Sequence, residues 1–281
     1  MNIGLRYDMR APDLGPGSAS PRDLYQAAVE QCLWADKKGF NTVYLAEHHG
    51  AEDNYCPSPL ILAAAIAGAT EQIELHFSAL CVTMHDPLRL AEDLAVLDLI
   101  AGPGRVLVTA GIGYRPEEFD MFGVDFPNRG KVFEEKLEVL RTAWRGEEFE
   151  YRGTRVRVTP VPGTPGGPTL YIGGNAKPSA RRAARMGLGY RPATEDLYRF
   201  YAEECARLGH PEPNRSRGTV RRSSTWPRIR NRPWSRWHRT SSMPATCTPP
   251  RPASGRTPPR MGIGPRRVIS TPSGTISRCG S

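Results

Sequence analysis

Short apolar runs alternate with helix-like segments through the first 214 residues, and this alternation limits the possible folds more than any other feature. The runs typical of strands are residues 2–7, 41–46, 73–82, 105–110 and 169–174, with "GYRPA" (189–193) as a candidate sixth. Continuously apolar strands separated by helices and short connections are typical of parallel βαβ units. The sequence therefore predicts an α/β fold, for which a doubly wound sheet and a (β/α)₈ TIM barrel are both candidates.

Helix signals fill the intervals between these runs. Ser20, Pro21 and Asp23 stand as N-cap, first-turn proline and capping-box acid of a helix that is expected to stop at Gly39. Further helices are predicted over about 57–70, 87–100, 129–145, 178–186 and 195–208, and a small hairpin over 149–158. The stretch "GIGYRPEEFDMFG" (111–123) is predicted to be a loop.

Residue types suited to chemistry recur just after several different strands. They are Glu47–His49, Ser78–Ala79, Gly111–Arg115 and Gly173–Asn175. A barrel collects residues from many strand ends at one face, whereas a doubly wound sheet concentrates them at one switch point. The distribution favours the TIM barrel.

Composition changes abruptly after residue 214 and predicts two regions, 1–214 and 215–281. All 29 acidic residues and 23 of the 38 basic ones lie in 1–214, which therefore carries a net charge of −6. The tail, 215–281, holds 15 Arg with no Lys, Asp or Glu, so the sequence pI of about 9.5 belongs to the tail. The tail is predicted to be disordered, because such a composition buries too little apolar surface to fold alone.

Two hypotheses explain the tail. Its arginines and tryptophans could hold phosphates and stack on bases, as in a nucleic-acid-binding arm. Alternatively, the tail is the product of a frameshift in a GC-rich gene, and the complete lack of Lys, Asp and Glu favours this second hypothesis. Because only five or six strands precede it and a barrel of this type needs eight, we expect an incomplete barrel with exposed edges and weak stability or poor solubility.

Cysteine usage and hydropathy set the expected compartment. The six cysteines form no C-x-x-C pair, no charged-then-apolar leader opens the sequence, and no uninterrupted apolar run reaches 18 residues. We expect a reduced, cytoplasmic protein without membrane contact.

The stretch "VYLAEHHGAEDNY" (43–55) raises the first chemical question, because Glu47, His48 and His49 follow a buried strand. Neighbouring residues on a strand point to opposite faces, so joint metal chelation by the two histidines is disfavoured and no metal site is predicted. One histidine acting as a base or hydrogen-bond donor, and a purely structural pair, are both compatible with the pattern.

Three other strand ends offer possible contacts for a ligand. Small residues at Ser78 and Ala79 leave space for a flat ring, and Gly111 allows close approach of the backbone, although its loop does not have the G-x-G-x-x-G spacing. Gly173, Gly174 and Asn175 precede a helix whose first turn contains Ser179, a position that suits a phosphate. Core packing and an ordinary strand-to-helix turn are the structural alternatives.

Five stretches, taken in order, resemble the bacterial luciferase-like monooxygenase family of flavin-dependent oxidoreductases. They are "WADKKGFNTVYLAEHH", "SPLILAAAIAGATEQIEL", "HDPLRLAEDLAVLDLIAGPGR", "GYRPEEFDMFGVD" and "LYIGGNAKPSARRAARMG". The resemblance covers residues 1–214 and has no counterpart in the tail. It implies a TIM barrel that binds reduced FMN, or a deazaflavin in some branches, at the strand C-termini.

The resemblance also implies roles for particular residues. His48 matches the catalytic histidine, and Ser78–Ala79 match a non-prolyl cis peptide beneath the flavin ring. The implied phosphate site contains Gly174, Asn175, Ala176 and Ser179, with Gly173 before it and Arg129 within one position of a phosphate-binding arginine. Ile112 replaces another such arginine, and Arg115 is a candidate substitute.

The activity implied by the resemblance is oxygenation of a small organic substrate, such as an aldehyde, with O₂ and reduced FMN supplied by a flavin reductase. The expected assembly is a homo-oligomer. The alternatives are hydride transfer with a deazaflavin, a catalytically silent flavin-binding relative and, more distantly, nucleic-acid binding through the tail.

Overall fold

The computed structural model describes residues 3–11, 15 and 18–211, which contain eight strands and seven α-helices. The strands are β1 Gly4–Tyr7, β2 Thr42–Leu45, β3 Glu74–Cys81, β4 Val106–Gly111, β5 Phe149–Tyr151, β6 Thr154–Val156, β7 Thr169–Gly173 and β8 Gly189–Arg191. The helices are α1 Pro21–Lys37, α2 Pro59–Ala69, α3 Pro87–Ala101, α4 Pro116–Phe122, α5 Arg129–Ala143, α6 Lys177–Met186 and α7 Glu195–Arg207.

Six of these strands form one parallel sheet in the order β1-β2-β3-β4-β7-β8, and β5 with β6 forms a separate antiparallel hairpin. The order follows the chain without a reversal. Because crossovers between parallel strands are right-handed, a sheet that never reverses places its helices on one face, as a TIM barrel does. The described residues therefore contribute six strands of such a barrel, and a doubly wound sheet is ruled out.

The two faces of the sheet differ in chemistry. The face that packs against the helices is apolar and fully buried, with Val43, Leu75 and Val108 among its residues. The residues that alternate with them on the opposite face are more polar, and they include Tyr44, His76, Thr109, Tyr171 and Arg191. The prediction of continuously apolar strands was therefore wrong for the inner face, which corresponds to the interior of a barrel.

Local signals in the sequence account for most element boundaries. Ser20 caps α1 in a complete capping box with Asp23, as predicted. The expected third strand ends one residue earlier, at Cys81, and continues as a short 3₁₀ turn, Val82–Met84. The predicted loop at 111–123 was wrong in part, because Pro116 opens α4 there and acidic residues occupy its first turn.

The predicted tail, 215–281, lies outside the described residues, so the division of the chain after residue 214 stays a prediction. Among the helices that the structure describes, none has both the length and the apolar character needed to cross a bilayer.

Candidate active site

His48 and Glu118 form a hydrogen-bonded pair beyond the C-terminal end of β2. The Nδ1 atom of His48 lies 2.8 Å from Oε1 of Glu118, and the backbone amide of His49 donates to the same oxygen at 3.1 Å. Glu118 belongs to the first turn of α4 and its side chain is 1% exposed, whereas that of His48 is 18% exposed. A buried carboxylate thus holds a histidine that still reaches the surface.

This pairing selects one tautomer of the neutral His48 ring. A carboxylate is an acceptor, so the proton of the neutral ring resides on Nδ1 and the lone pair on Nε2 points the other way. The Nε2 atom lies 3.5 Å from the hydroxyl of Tyr114, and the rings of Tyr55 and Tyr114 both stand nearly perpendicular to the imidazole. His48 therefore presents a proton-accepting nitrogen beside two tyrosines.

His49 points to a different carboxylate. Its Nε2 atom donates to Oε1 of Glu47 at 3.0 Å, and Nε2 of His85 donates to the same oxygen at 2.7 Å. The backbone amide of Cys81 donates to the other oxygen. The rings of the two histidines have separate carboxylate partners, but β2 ends at Leu45, so the strand alternation on which the sequence argument relied does not extend to them.

The environment of Glu47 keeps this carboxylate ionised. Burial alone raises the pKa of a carboxyl group, but the hydrogen bonds from His49, His85 and the Cys81 amide outweigh that effect and lower the pKa of Glu47 to about 2. Glu47 thereby connects the end of β2 to the end of β3 and to the turn that follows β3.

Three strand ends meet at a surface made almost entirely of backbone, here called the backbone floor and defined by Ala79, Gly111 and Gly173. The Ser78–Ala79 peptide bond is cis, and the register of β3 against β4 shifts between Ser78 and Leu80. A Cβ atom on Gly111 would lie 2.9 Å from Cβ of Ala79, and one on Gly173 would lie 4.0 Å from the same atom. The structure thus brings together four of the predicted site residues.

The loop between β7 and α6 contains the predicted phosphate site. Gly174 has a φ of +140°, and a side chain there would collide with Ser179. The hydroxyl of Tyr190 donates to the Gly174 carbonyl at 2.7 Å, and Oδ1 of Asn175 accepts from the amide of Ala193 at 2.9 Å. Ala176 is the N-cap of α6. These contacts fix the loop against β8 and the start of the helix.

The two arginines proposed for phosphate binding have other contacts. Arg129 donates to the carbonyl of Phe126 at 2.8 Å and lies over the Phe126 ring. Arg115 lies 3.6 Å from Oε1 of Glu118, so it stands beside His48. The carbonyl of Ile112 accepts from the hydroxyl of Thr83.

An open cleft of about 630 Å³ adjoins His48, a volume in the range of small-molecule sites. It is lined by Arg10, His48, Gly50, Ala51, Glu52, Asp53, Tyr55, Tyr114 and Arg115. Among the described residues, no group of three or more His, Cys, Asp or Glu side chains is arranged to hold a metal ion.

The sequence profile of the family described as luciferase-like monooxygenase matches residues 9–217. The chain belongs to the luciferase-like monooxygenase family. It is 25% identical over 134 residues to the oxygenase component of a flavin-dependent trigonelline monooxygenase from Acinetobacter baylyi, a match that covers 47% of this chain and 37% of that protein. The chain spans less than half the length of the curated relatives that it matches.

Solved structures have the same architecture as this luciferase-like monooxygenase chain. The monooxygenase RslO1 from Streptomyces bottropensis is 28% identical, with a TM-score of 0.64 over 75% of this chain and 68% of its own. The oxygenating constituent of 3,6-diketocamphane monooxygenase from Pseudomonas putida, a complex with FMN, has the same TM-score at 23% identity and covers 76% and 64%. An F420-dependent secondary alcohol dehydrogenase has a TM-score of 0.58 at 20% identity and covers 75% and 65%. The last two structures are only 23% and 20% identical to this chain, so their likeness shows the fold alone.

The residues of this family member fit a flavin at the barrel mouth. The backbone floor carries no side chain larger than the methyl group of Ala79, and the Cβ position of Gly174 is filled by Ser179, so the loop backbone packs directly against the first turn of α6. The Oε2 atom of Glu118 is buried and, within the described part of the chain, has no hydrogen-bond partner, so this site still has an acceptor to offer. A flat ring with a phosphate-bearing chain matches the floor and the loop.

Sequence reasoning missed several residues of this candidate site. Residues 47–49 are contacted by Glu118, Tyr55, Tyr114 and His85, and Glu118 lies 70 residues from His48. Pro116 followed by two acidic residues is a helix-start signal that would have placed Glu118 in a first turn. No local pattern links Tyr55 to His48.

Proposed function

We propose that this chain is a flavin-dependent oxidoreductase that uses reduced FMN and O₂ to oxygenate a small organic substrate. The observation that carries the proposal is the His48–Glu118 pair, which holds a proton-accepting nitrogen at the cleft, beyond the same C-terminal ends of the parallel strands at which the backbone floor lies. The flavin-dependent relative supports a flavin cofactor, and FMN is the flavin bound in one structure of the same fold.

Each part of the site has a proposed task in holding the cofactor. Ser78 and the backbone floor would support the flat ring, while Gly174, Asn175, Ala176 and Ser179 would hold the phosphate, with Arg115 and Arg129 as further candidates. When bound, reduced FMN supplies the electrons that O₂ requires. The side chains above the cleft would exclude water from the reacting atoms.

His48 would move the proton that this chemistry needs. Glu118 fixes the proton on Nδ1, so Nε2 accepts a proton from the cleft and later returns it, while the carboxylate stabilises the imidazolium formed in between. Tyr114, whose hydroxyl lies 3.5 Å from Nε2, extends the hydrogen-bonded path toward solvent.

A single-turnover experiment tests this role without knowledge of the substrate. The chain is mixed anaerobically with photoreduced FMN and then with oxygenated buffer, and reoxidation is followed by flavin absorbance. We expect His48→Gln to slow the reoxidation of bound flavin by about 100-fold, the usual scale for a lost acid–base group. His210→Gln, a histidine beyond α7, is the matched control. Equal rates for wild type and His48→Gln would show that His48 has no such role and would favour a silent flavin-binding relative.

A deazaflavin is the alternative cofactor, and the likeness to the F420-dependent dehydrogenase supports it. In that case the reaction would be hydride transfer without O₂. Parallel fluorescence titrations with FMN and with the deazaflavin separate the two, because the proposal requires tighter binding of FMN.

The partners we propose are O₂, a small organic substrate and a flavin reductase. A homo-oligomer stays a prediction from the resemblance, which size-exclusion chromatography with light scattering can test.

A further inference from the structure

A buried histidine other than His48 and His49 lies on the inner face of the sheet. His76 of β3 is 1% exposed, and its Nε2 atom lies 2.8 Å from the hydroxyl of Thr109 on β4. The rings of Tyr44 on β2 and of Tyr171 on β7 lie near the imidazole, with their centroids 5.2 and 6.0 Å from that of His76. The cluster spans four neighbouring strands and lies in what corresponds to the barrel interior.

Arg191 of β8 reaches into this cluster. Its Nη1 atom lies 3.0 Å from Nδ1 of His76, and its guanidinium carbon lies 4.8 Å from the centre of the Tyr171 ring. Burial, and then the positive charge of Arg191, lower the pKa of His76 to about 3, so the imidazole is neutral and accepts a hydrogen bond from the guanidinium. His76 and Tyr171 together fix the position of the cation.

That position lies close to the backbone floor. Arg191 is the register partner of Gly173, which is one of the three residues of the floor. A Cβ atom on Gly173 would lie 2.9 Å from Cγ2 of Thr109, the residue whose hydroxyl contacts His76. The guanidinium itself lies against the ring of Tyr171, which precedes Gly173 of the floor by two residues on β7.

A cation in this place has a consequence for a bound flavin. Oxidised flavin has a neutral ring, whereas reduced flavin can lose a proton and become an anion, and protein charges near the ring tune this balance. We propose that Arg191, held in position by His76, supplies the positive charge that stabilises reduced flavin in its anionic form above the backbone floor. The inference rests on the proposed function, because it requires a flavin at the floor.

The test compares both oxidation states of FMN on the full chain. Dissociation constants for oxidised FMN and for anaerobically photoreduced FMN are measured by flavin fluorescence and absorbance, together with the midpoint potential of the bound cofactor. The variant is Arg191→Gln, which keeps a hydrogen-bond donor and loses the charge. Arg191→Lys keeps the charge, and Arg199→Gln on the exposed face of α7 is the matched control.

We expect Arg191→Gln to weaken the binding of reduced FMN by about 10-fold, the scale of one hydrogen bond to a charged group, with a smaller effect on oxidised FMN. For a two-electron couple this corresponds to a midpoint potential lower by about 30 mV. Arg191→Lys should keep most of the preference and Arg199→Gln all of it. Equal weakening of the two oxidation states would overturn the inference, since a purely structural role affects both alike.

Wild-type protein provides a second readout that does not depend on the variant folding. In mildly acidic buffer, in which most unbound reduced FMN is neutral, the absorption spectrum of the bound reduced cofactor should be that of the anion. A neutral spectrum would overturn the inference while leaving the proposed function intact. Failure of the wild-type chain to bind FMN in either state would instead overturn the proposed function itself.

Discussion

Two buried glutamates, Glu47 and Glu118, hold the rings of His49 and His48, and their surroundings differ in one respect. Glu47 uses both carboxylate oxygens, one for the side chains of His49 and His85 and the other for the amide of Cys81. Glu118 uses one oxygen for the ring of His48 and the amide of His49, and its second oxygen has no partner within the described residues. Both are charge-assisted arrangements, but only Glu47 is fully satisfied.

The difference indicates different tasks. A fully hydrogen-bonded buried carboxylate fixes the geometry of its neighbours, and the protein loses stability when any of its partners is removed. Glu118 has one buried oxygen without a hydrogen bond, and it lies beside a partly exposed histidine. Such an unsatisfied carboxylate lowers stability, and groups of this kind concentrate at functional sites. We therefore assign Glu47 to the framework of the site and Glu118 to the positioning of His48.

The largest expected effect is on stability and comes from Glu47→Ala. Removing this carboxylate leaves the buried donors of His49 and Cys81, and the partly exposed ring of His85, without their acceptor, and breaking a buried pair in this way costs about 3–5 kcal/mol. Urea denaturation followed by circular dichroism measures the change in the free energy of unfolding. Glu204→Ala, which removes two surface ion pairs at the end of α7, is the control and should cost far less, because exposed ion pairs contribute little to stability. Similar losses in both variants would contradict a framework role for Glu47.

The sequence predicted the strands and helices better than the contacts of the candidate site. Apolar runs and helix signals placed every strand of the sheet because burial on the helix side leaves a local pattern, as in Leu75 and Val108. The Ser78–Ala79 cis bond was expected only through the resemblance. The His48–Glu118 pair joins residues far apart in the sequence, so no local period reveals it. The polar inner face was missed because single residues such as His76 and Arg191 interrupt apolar strands without altering their overall character.

A second prediction concerns the pH dependence of stability. The pKa of Glu47 is about 2 in the folded chain, below the 4.5 of an unperturbed glutamate, so its contribution is complete above pH 4.5 and is lost as the pH falls toward 2. Lowering the pH from 6 to 3 should cost wild type about 2 kcal/mol through this group. Glu47→Gln lacks the titrating group, so between pH 6 and pH 3 the free energy of unfolding of this variant should fall by about 2 kcal/mol less than that of wild type. Parallel curves for the two proteins would contradict the lowered pKa.

The smallest effect tests Glu118 and separates its role from that of Glu47. Glu118→Gln keeps the size of the side chain and can still accept from His48, so we expect a loss of about 1 kcal/mol in stability, the scale of one altered hydrogen bond. The amide stabilises the imidazolium less than a carboxylate does. Reoxidation of bound reduced FMN should therefore slow by about 10-fold, with the dissociation constant of oxidised FMN nearly unchanged.

Glu118→Gln thus tests whether the unequal hydrogen bonding of the two glutamates corresponds to unequal function. A purely structural role would alter stability and flavin affinity and leave the rate unchanged, whereas a positioning role slows the rate with flavin affinity nearly unchanged. Combining the substitution with His48→Gln sharpens the result, because a residue that acts only through His48 adds no further loss once the imidazole is gone. If the two losses multiply, Glu118 acts on the reaction independently of His48, and its unpartnered oxygen becomes the atom that must contact the ligand.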